Sequence, residues 1–354
     1  MALAALLPFV AFAQVREADM EWLSKIPLEY TIRQTTTPIQ IDGVAEEEAW
    51  SKTDWMEGFT DIITGAIPSG DHTTRCKLLW DNSHVYVYAE LKEPHIWATF
   101  DKHDDRIFQE NAFEIFINPD GSTYHYFEIQ INAKETVWDL YLPKPYRSGG
   151  RPLNSWNPGG IRKAVKVAGT LNNPADIDSC WTIEMAIPFQ SMDIRPGGVM
   201  PGTIWRMNLS RVQWQLGVEN GVYVKRKDDK GKPLPEQYIV WSPVGILNLH
   251  FPERWGYVQF ADEATPQKFL VKEDEQLKLD LWKYFYLQQS YLQKHGRYAT
   301  ALKDLDRHYN PAVEMVAGKE QFTLTTLLPS ADRYMVVDNS GEVVFKKKDK
   351  RQAK

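Results

Sequence analysis

The chain has 354 residues, 43% hydrophobic and 25% charged, with a formal net charge of -6. That length suits one large core plus a smaller unit, and an acidic balance without a basic aromatic stripe argues against nucleic-acid binding. Two distant cysteines, Cys76 and Cys180, are no zinc signature and leave one disulfide between them open.

Residues 1–13 form a short apolar run closing on Ala11-Phe12-Ala13. This is the pattern of a cleaved export signal, and it is too short to span a bilayer. The expectation is a secreted, periplasmic or cell-surface protein with no membrane span, its mature chain starting near Gln14. Residues 14–29 follow as a loose leader. Tyr30 to Ile41 reads as a strand ending in Ile39-Gln40-Ile41-Asp42-Gly43, and a short acidic helical turn then carries Trp50 inward. Thr73 to Leu79 and Val85 to Leu91 alternate as strands around Asp81-Asn82, which predicts a hairpin.

The centre of the chain is residues 107–142. Phe113, Ile115 and Ile117 alternate with Glu114, Phe116 and Asn118; Phe127, Ile129 and Ile131 alternate with Glu128, Gln130 and Asn132. Between the two runs lies Asn118-Pro119-Asp120-Gly121-Ser122, a cluster of turn formers, so a second hairpin is expected. One face feeds a core. The other sets Glu114, Glu128 and Gln130 side by side, as a floor suited to hydroxyl-rich ligands. After Leu142 comes a long aperiodic loop flanked by Trp138-Asp139, Tyr146-Arg147 and Trp156. Trp and Tyr rings there offer flat faces to a ligand, while Asp139 and Arg147 can bond hydroxyls; Trp138 reads equally as a core strand residue.

Further strands are expected at 164–169, 181–187, 205–212, 239–241 and 256–260, with a second exposed excursion at 215–237. The total is about nine or ten short strands and almost no helix, which predicts a mainly β fold, an antiparallel, jelly-roll-like β-sandwich over residues 30–261. From residue 262 to 354 the pattern changes. Leu277, Leu281, Tyr284, Phe285, Gln288, Tyr291 and Leu292 fall at helical spacing, and strands follow near 322–324, 334–337 and 343–345. This predicts a small α+β extension, a helix packed on a meander, used for packing or docking.

Several motifs, in order, resemble family 9 carbohydrate-binding modules over residues 30–260. They are Ile41-Asp42-Gly43 with Trp50, Leu79-Trp80-Asp81-Asn82 with Val85-Tyr86-Val87, Asn111 to Asn118, Glu184 to Pro188, and Trp241-Ser242 with Trp255-Gly256. The resemblance implies a non-catalytic β-sandwich that holds a glycan or oligosaccharide between two tryptophans over polar strand residues, often with structural calcium. Carried over, the polar set falls on Glu114, Glu128 and Gln130. The family's first tryptophan is Phe108 here, the arginine beneath the sugar is Glu128, and the second tryptophan falls near Leu249 or His250.

Three other readings compete with glycan binding, one of them a purely structural or docking module inside an export or polysaccharide-uptake system. A glycoside-active enzyme would use Glu114 and Glu128, the one carboxylate pair on a shared surface; no nucleophile elbow, zincin helix, P-loop or dinucleotide glycine pattern is present. A haem-binding sandwich would need convergence of residues such as Met185, Met207 and His125.

Overall fold

The computed structural model describes residues 20–68, 71–195, 197–262 and 272–348. The expected export signal lies outside these residues, as does the start of the leader. The first strands are β1 (Glu29–Gln34), β2 (Thr60–Asp61), β3 (Thr74–Trp80) and β4 (His84–Lys92), with helices α1 (Met20–Leu23) and α2 (Glu48–Ser51) as short turns. The central segment gives β5 (Ala112–Asn118), β6 (Tyr126–Asn132) and β7 (Val137–Leu142). Then come β8 (Arg162–Ala168), β9 (Cys180–Pro188) and β10 (Ile204–Gln213), the small hairpin β11 (Leu216–Glu219) and β12 (Val222–Lys225), and finally β13 (Gln237–Val240) and β14 (Gly256–Ala261).

The fold is mainly β, as expected. The strands are bonded into one twelve-stranded sheet, in the order β7-β6-β5-β10-β14-β1-β3-β4-β9-β8, with β13 and β2 branching from β10. The sheet curls so that its two halves share a core. Val87 and Ile183 from one half pack in the same cluster as Ile115, Ile129 and Met207 from the other. Burying such a side chain contributes roughly 1.5–3 kcal/mol, so this shared core holds the curl closed. The pairing is antiparallel except at β1, which runs parallel to both β14 and β3 and joins the two halves. The antiparallel expectation therefore fails at β1, whose two partners are reached by long crossovers rather than hairpins.

Both predicted hairpins form. In the central one Glu114 lies opposite Gln130, and Phe116 opposite Glu128. The expected strand at Ile39-Gln40-Ile41 does not form. The sheet there is already filled, and Ile39 instead packs with Trp50 against Tyr86 and Tyr88 on the outer face. Cys76 and Cys180 are free thiols. They lie on β3 and β9, which both pair with β4 and are held apart by it.

The tail is a helix with a meander: α3 (Lys272–His295) followed by β15 (Val313–Ala317), β16 (Phe322–Leu328), β17 (Arg333–Asp338) and β18 (Val343–Lys347) in sequential antiparallel order. The apolar stripe of α3 shares a cluster with Leu324 and Val337 of the meander and with Leu23, Val244 and Phe251 of the large sheet's loops. The tail also grips the turn of the central hairpin: Thr123 Oγ1 donates to the Gly341 carbonyl at 2.7 Å, and the Val343 amide to Ser122 at 2.9 Å.

Candidate functional site

Alternation along β5 and β6 sends Phe113, Ile115, Ile129 and Ile131 into the core. It therefore sends Glu114, Glu128 and Gln130 to the outer face of this half of the sheet. All three are almost fully buried. They are covered by loops and by neighbouring side chains, not by the opposite half of the sheet. Gln130 Nε2 donates to Glu114 Oε1 at 2.8 Å and to Glu128 Oε1 at 2.6 Å, so one amide nitrogen ties the two carboxyl groups together. The remaining atoms Glu114 Oε2, Glu128 Oε2 and Gln130 Oε1 have no hydrogen-bond partner.

Burial sets the charge state. It raises the Glu114 carboxyl well above its ordinary value and the Glu128 charge adds to this, while the Ser210 hydroxyl across the strand pair opposes it from a position outside hydrogen-bond geometry. Burial also pushes Glu128 up to about 7, against the opposing donation from Gln130. The floor thus carries acidic groups that hold protons near neutrality and can donate as well as accept.

Two aromatic walls flank this floor. On one side Phe108 and Trp138 lie 5.3 Å apart, and Trp138, Trp214 and Tyr238 pack around Val212. The Trp214 indole donates to the Phe108 carbonyl at 3.2 Å, which holds that wall in place. On the other side His250 stands against Tyr146 at 4.5 Å and Phe116 at 5.6 Å, and its Nδ1 meets the Tyr126 hydroxyl at 3.0 Å. His250 Nε2 is 3.7 Å from Glu128 Oε2, and desolvation lowers its pKa to about 3, so the ring is neutral at pH 7. Trp214 and Tyr238 were not anticipated. Tyr238 had a signal in its phase, since it alternates with the core residue Ile239.

A protein-family model described as "Carbohydrate family 9 binding domain-like" matches residues 41–263. The chain belongs to this family. Endo-1,4-beta-xylanase A of Thermotoga maritima is 24% identical to it over 164 residues, 46% of this chain and 13% of that enzyme. The chain therefore spans a small part of that relative's length. A candidate carbohydrate-binding protein of Bacteroides uniformis superposes with a TM-score of 0.48 at 13% identity, covering 66% of this chain and all of that one. A family 9 carbohydrate-binding module of Caldicellulosiruptor kristjanssonii, in complex with cellotriose, gives 0.42 at 14% identity, covering 68% of this chain and all of that one.

In this family 9 chain the most recognisable motifs meet away from the floor. Glu184 of β9 accepts hydrogen bonds from the Asp42 and Gly43 amides at 2.9 and 3.0 Å on one oxygen, and from the Trp50 indole at 2.9 Å on the other. Gly43 has φ +86°, and a Cβ there would meet Lys166 at 2.9 Å, so the motif's glycine is required. These residues clamp the outer face of the other half of the sheet.

Of the expected site residues, Phe108, Glu114, Glu128, Gln130, Trp138 and His250 come together around one floor. Three do not join them. Asp139 follows Trp138 on β7 and points to the opposite face, beside His103. Arg147 turns away from its neighbour Tyr146, pairs with Glu253 at 3.1 Å and lies over Phe251 and Trp282 at the tail junction. Trp156 serves the core: its ring packs on Phe127 at 4.8 Å and its indole donates to the Ser191 carbonyl at 2.9 Å. Met185 and Met207 are core residues, and His125 stacks on Tyr141 outside it, so the three do not converge on a haem.

Among the described residues one group of side chains has metal-ligand spacing: His103, Asp104 and Asp139. Calcium takes six to eight oxygens. An imidazole among so few donors does not fit it.

Proposed function

We propose that the protein is an exported, non-catalytic carbohydrate-binding protein that holds a glycan or oligosaccharide over the floor of Glu114, Glu128 and Gln130. The observation that carries this is the set of buried polar atoms left without partners there. Such atoms cost roughly 1–3 kcal/mol each, a cost relieved when a ligand hydroxyl reaches them. Rings of Phe108 and Trp138 on one side and His250 and Tyr146 on the other supply faces for a sugar ring. The walls sit closed on the floor, so binding requires them to part.

Catalysis is disfavoured by the arrangement. Hydrolysis of a glycoside needs two carboxyl groups flanking the bond, whereas Glu114 and Glu128 share one amide nitrogen on one floor. Within this reading, residues 30–261 form the binding unit, a jelly-roll-like β-sandwich whose facing layers are the two halves of the curled sheet. Residues 262–354 form an extension that buttresses it. Export rests on the apolar N-terminal run; among the described residues no helix is long and apolar enough to cross a membrane.

The test is affinity electrophoresis on a panel of soluble polysaccharides, after a glycan array has selected the retained ones. Glu114→Ala weakens retention about tenfold or more, whereas Asp120→Ala on the hairpin turn leaves it unchanged. Equal retention in the two variants removes the floor from the binding site.

A further inference from the structure

We propose that His103, Asp104, Asp139 and Asn157 form a binding site for one borderline divalent cation of the zinc class, on the face of β7 opposite the glycan floor. Three oxygens converge on a single ring nitrogen. His103 Nε2 lies 2.5 Å from Asn157 Oδ1, 3.6 Å from Asp104 Oδ1 and 3.7 Å from Asp139 Oδ2. A single N–H can serve one of these acceptors; the exposed Asp104 and Asn157 can turn to water, whereas buried Asp139 cannot. The decisive member is Asp139. Its side chain is completely buried at the sheet's edge strand, yet neither of its carboxylate oxygens has a hydrogen-bond partner. A buried carboxylate that accepts no hydrogen bond and has only an imidazole at 3.7 Å is expensive, and such groups are normally paired or coordinate a metal.

The donor set selects the class of ion. One imidazole nitrogen with carboxylate and amide oxygens suits zinc, cobalt(II) or manganese(II), whereas calcium prefers an all-oxygen shell of higher number. Ligand atoms around a tetrahedral zinc lie about 3.3 Å apart, close to two of the three separations found here. The contact to Asn157 opens by under about 1 Å to match them. The ligands come from three segments. His103 and Asp104 belong to the loop before β5, Asp139 to β7, and Asn157 to the long loop after β7. Both loops already touch the edge strand through the backbone, the Asp104 amide donating to the Val137 carbonyl at 3.0 Å and Leu153 bridging Tyr141, and a cation would add a side-chain staple between them.

The experiment uses the full chain, free of purification tags and stripped with chelator. Zinc, cobalt or calcium is then added at equal concentration. The expected result is one zinc per chain by native mass spectrometry, a rise of about 3 °C or more in the melting midpoint, and a visible d–d absorption with cobalt. Calcium gives none of these. Asp139→Asn and His103→Gln each abolish stoichiometric zinc binding. His103 is half exposed, so His103→Gln keeps its fold, checked by near-UV circular dichroism, even if Asp139→Asn does not. The site is overturned if no cation binds stoichiometrically or if zinc binding survives in folded His103→Gln. The assignment of cation class is overturned if calcium binds as tightly as zinc.

Discussion

Glu184 and the Glu114–Glu128 pair are carboxyl groups on the outer faces of the two halves of one curled sheet. All three are nearly inaccessible, at 0%, 1% and 3% exposure. They differ in how they are satisfied. Both oxygens of Glu184 accept hydrogen bonds, from two amides and an indole, and nothing is left over. Glu114 and Glu128 share one donor between them and each keeps an oxygen with no partner. Burial alone therefore does not separate these carboxyl groups; completion of their hydrogen bonds does.

The largest expected effect breaks the completed side. Glu184→Ala orphans the Trp50 indole and the Asp42 and Gly43 amides, and should cost about 3–5 kcal/mol in urea unfolding. Glycan retention by the fraction still folded should be unchanged. Glu114→Ala, measured the same way, should shift stability by about 1 kcal/mol or less, because it removes a poorly satisfied buried group. A loss as large as that of Glu184→Ala would make the floor another structural clamp.

A second contrast lies in the aromatic residues. Phe108→Ala opens one wall and should weaken glycan retention about tenfold, in keeping with an aromatic contact of roughly 1 kcal/mol plus lost burial. Trp156→Ala is the control. It removes a ring packed on the core and should lower the melting midpoint while sparing retention.

The pH dependence sharpens the comparison further. Glu128 titrates near 7 when folded against 4.5 as a free group, so the folded state keeps its proton to higher pH. Its contribution to stability is complete below 4.5 and is lost as the pH rises through about 7. His250 acts oppositely. Its pKa falls to about 3 from 6.5, so its contribution is present above 6.5 and is lost as the pH falls toward 3. The difference in melting midpoint between the native chain and Glu128→Gln should shrink as the pH rises from 4.5 to 7. A flat difference would mean that Glu128 is solvated. The smallest effect is at Asp120, an exposed turn residue whose carboxylate accepts from the Ser122 amide at 2.9 Å. Asp120→Ala should cost about 0.5–1 kcal/mol.

Much of this was legible in the residues themselves. Alternation with a period of two set the faces of β5 and β6, so the shared floor of Glu114, Glu128 and Gln130 followed from the pleat alone. The turn formers at 118–122 located the hairpin, and Gly296, with φ +67°, ends α3 where the helical spacing stops. Long-range neighbours were not legible. Asp139 was grouped with Trp138 because they are adjacent in sequence, but adjacent strand residues point to opposite faces. Arg147 and Trp156 read as loop residues free to meet a ligand, yet the tail helix claimed one and the core the other.

By itself, the sequence determined the local geometry of each strand, turn and helix, because side-chain sterics and hydrophobic period act within a few residues. Tertiary structure decided which of those faces were completed. A carboxyl group's partners come from segments far apart along the chain: Glu184 finds its donors some 140 residues earlier, and the floor is walled by loops that lie before and after it. No local pattern records which buried oxygen will be left without a proton to accept, because that depends on how the two halves of the sheet and the tail close around it.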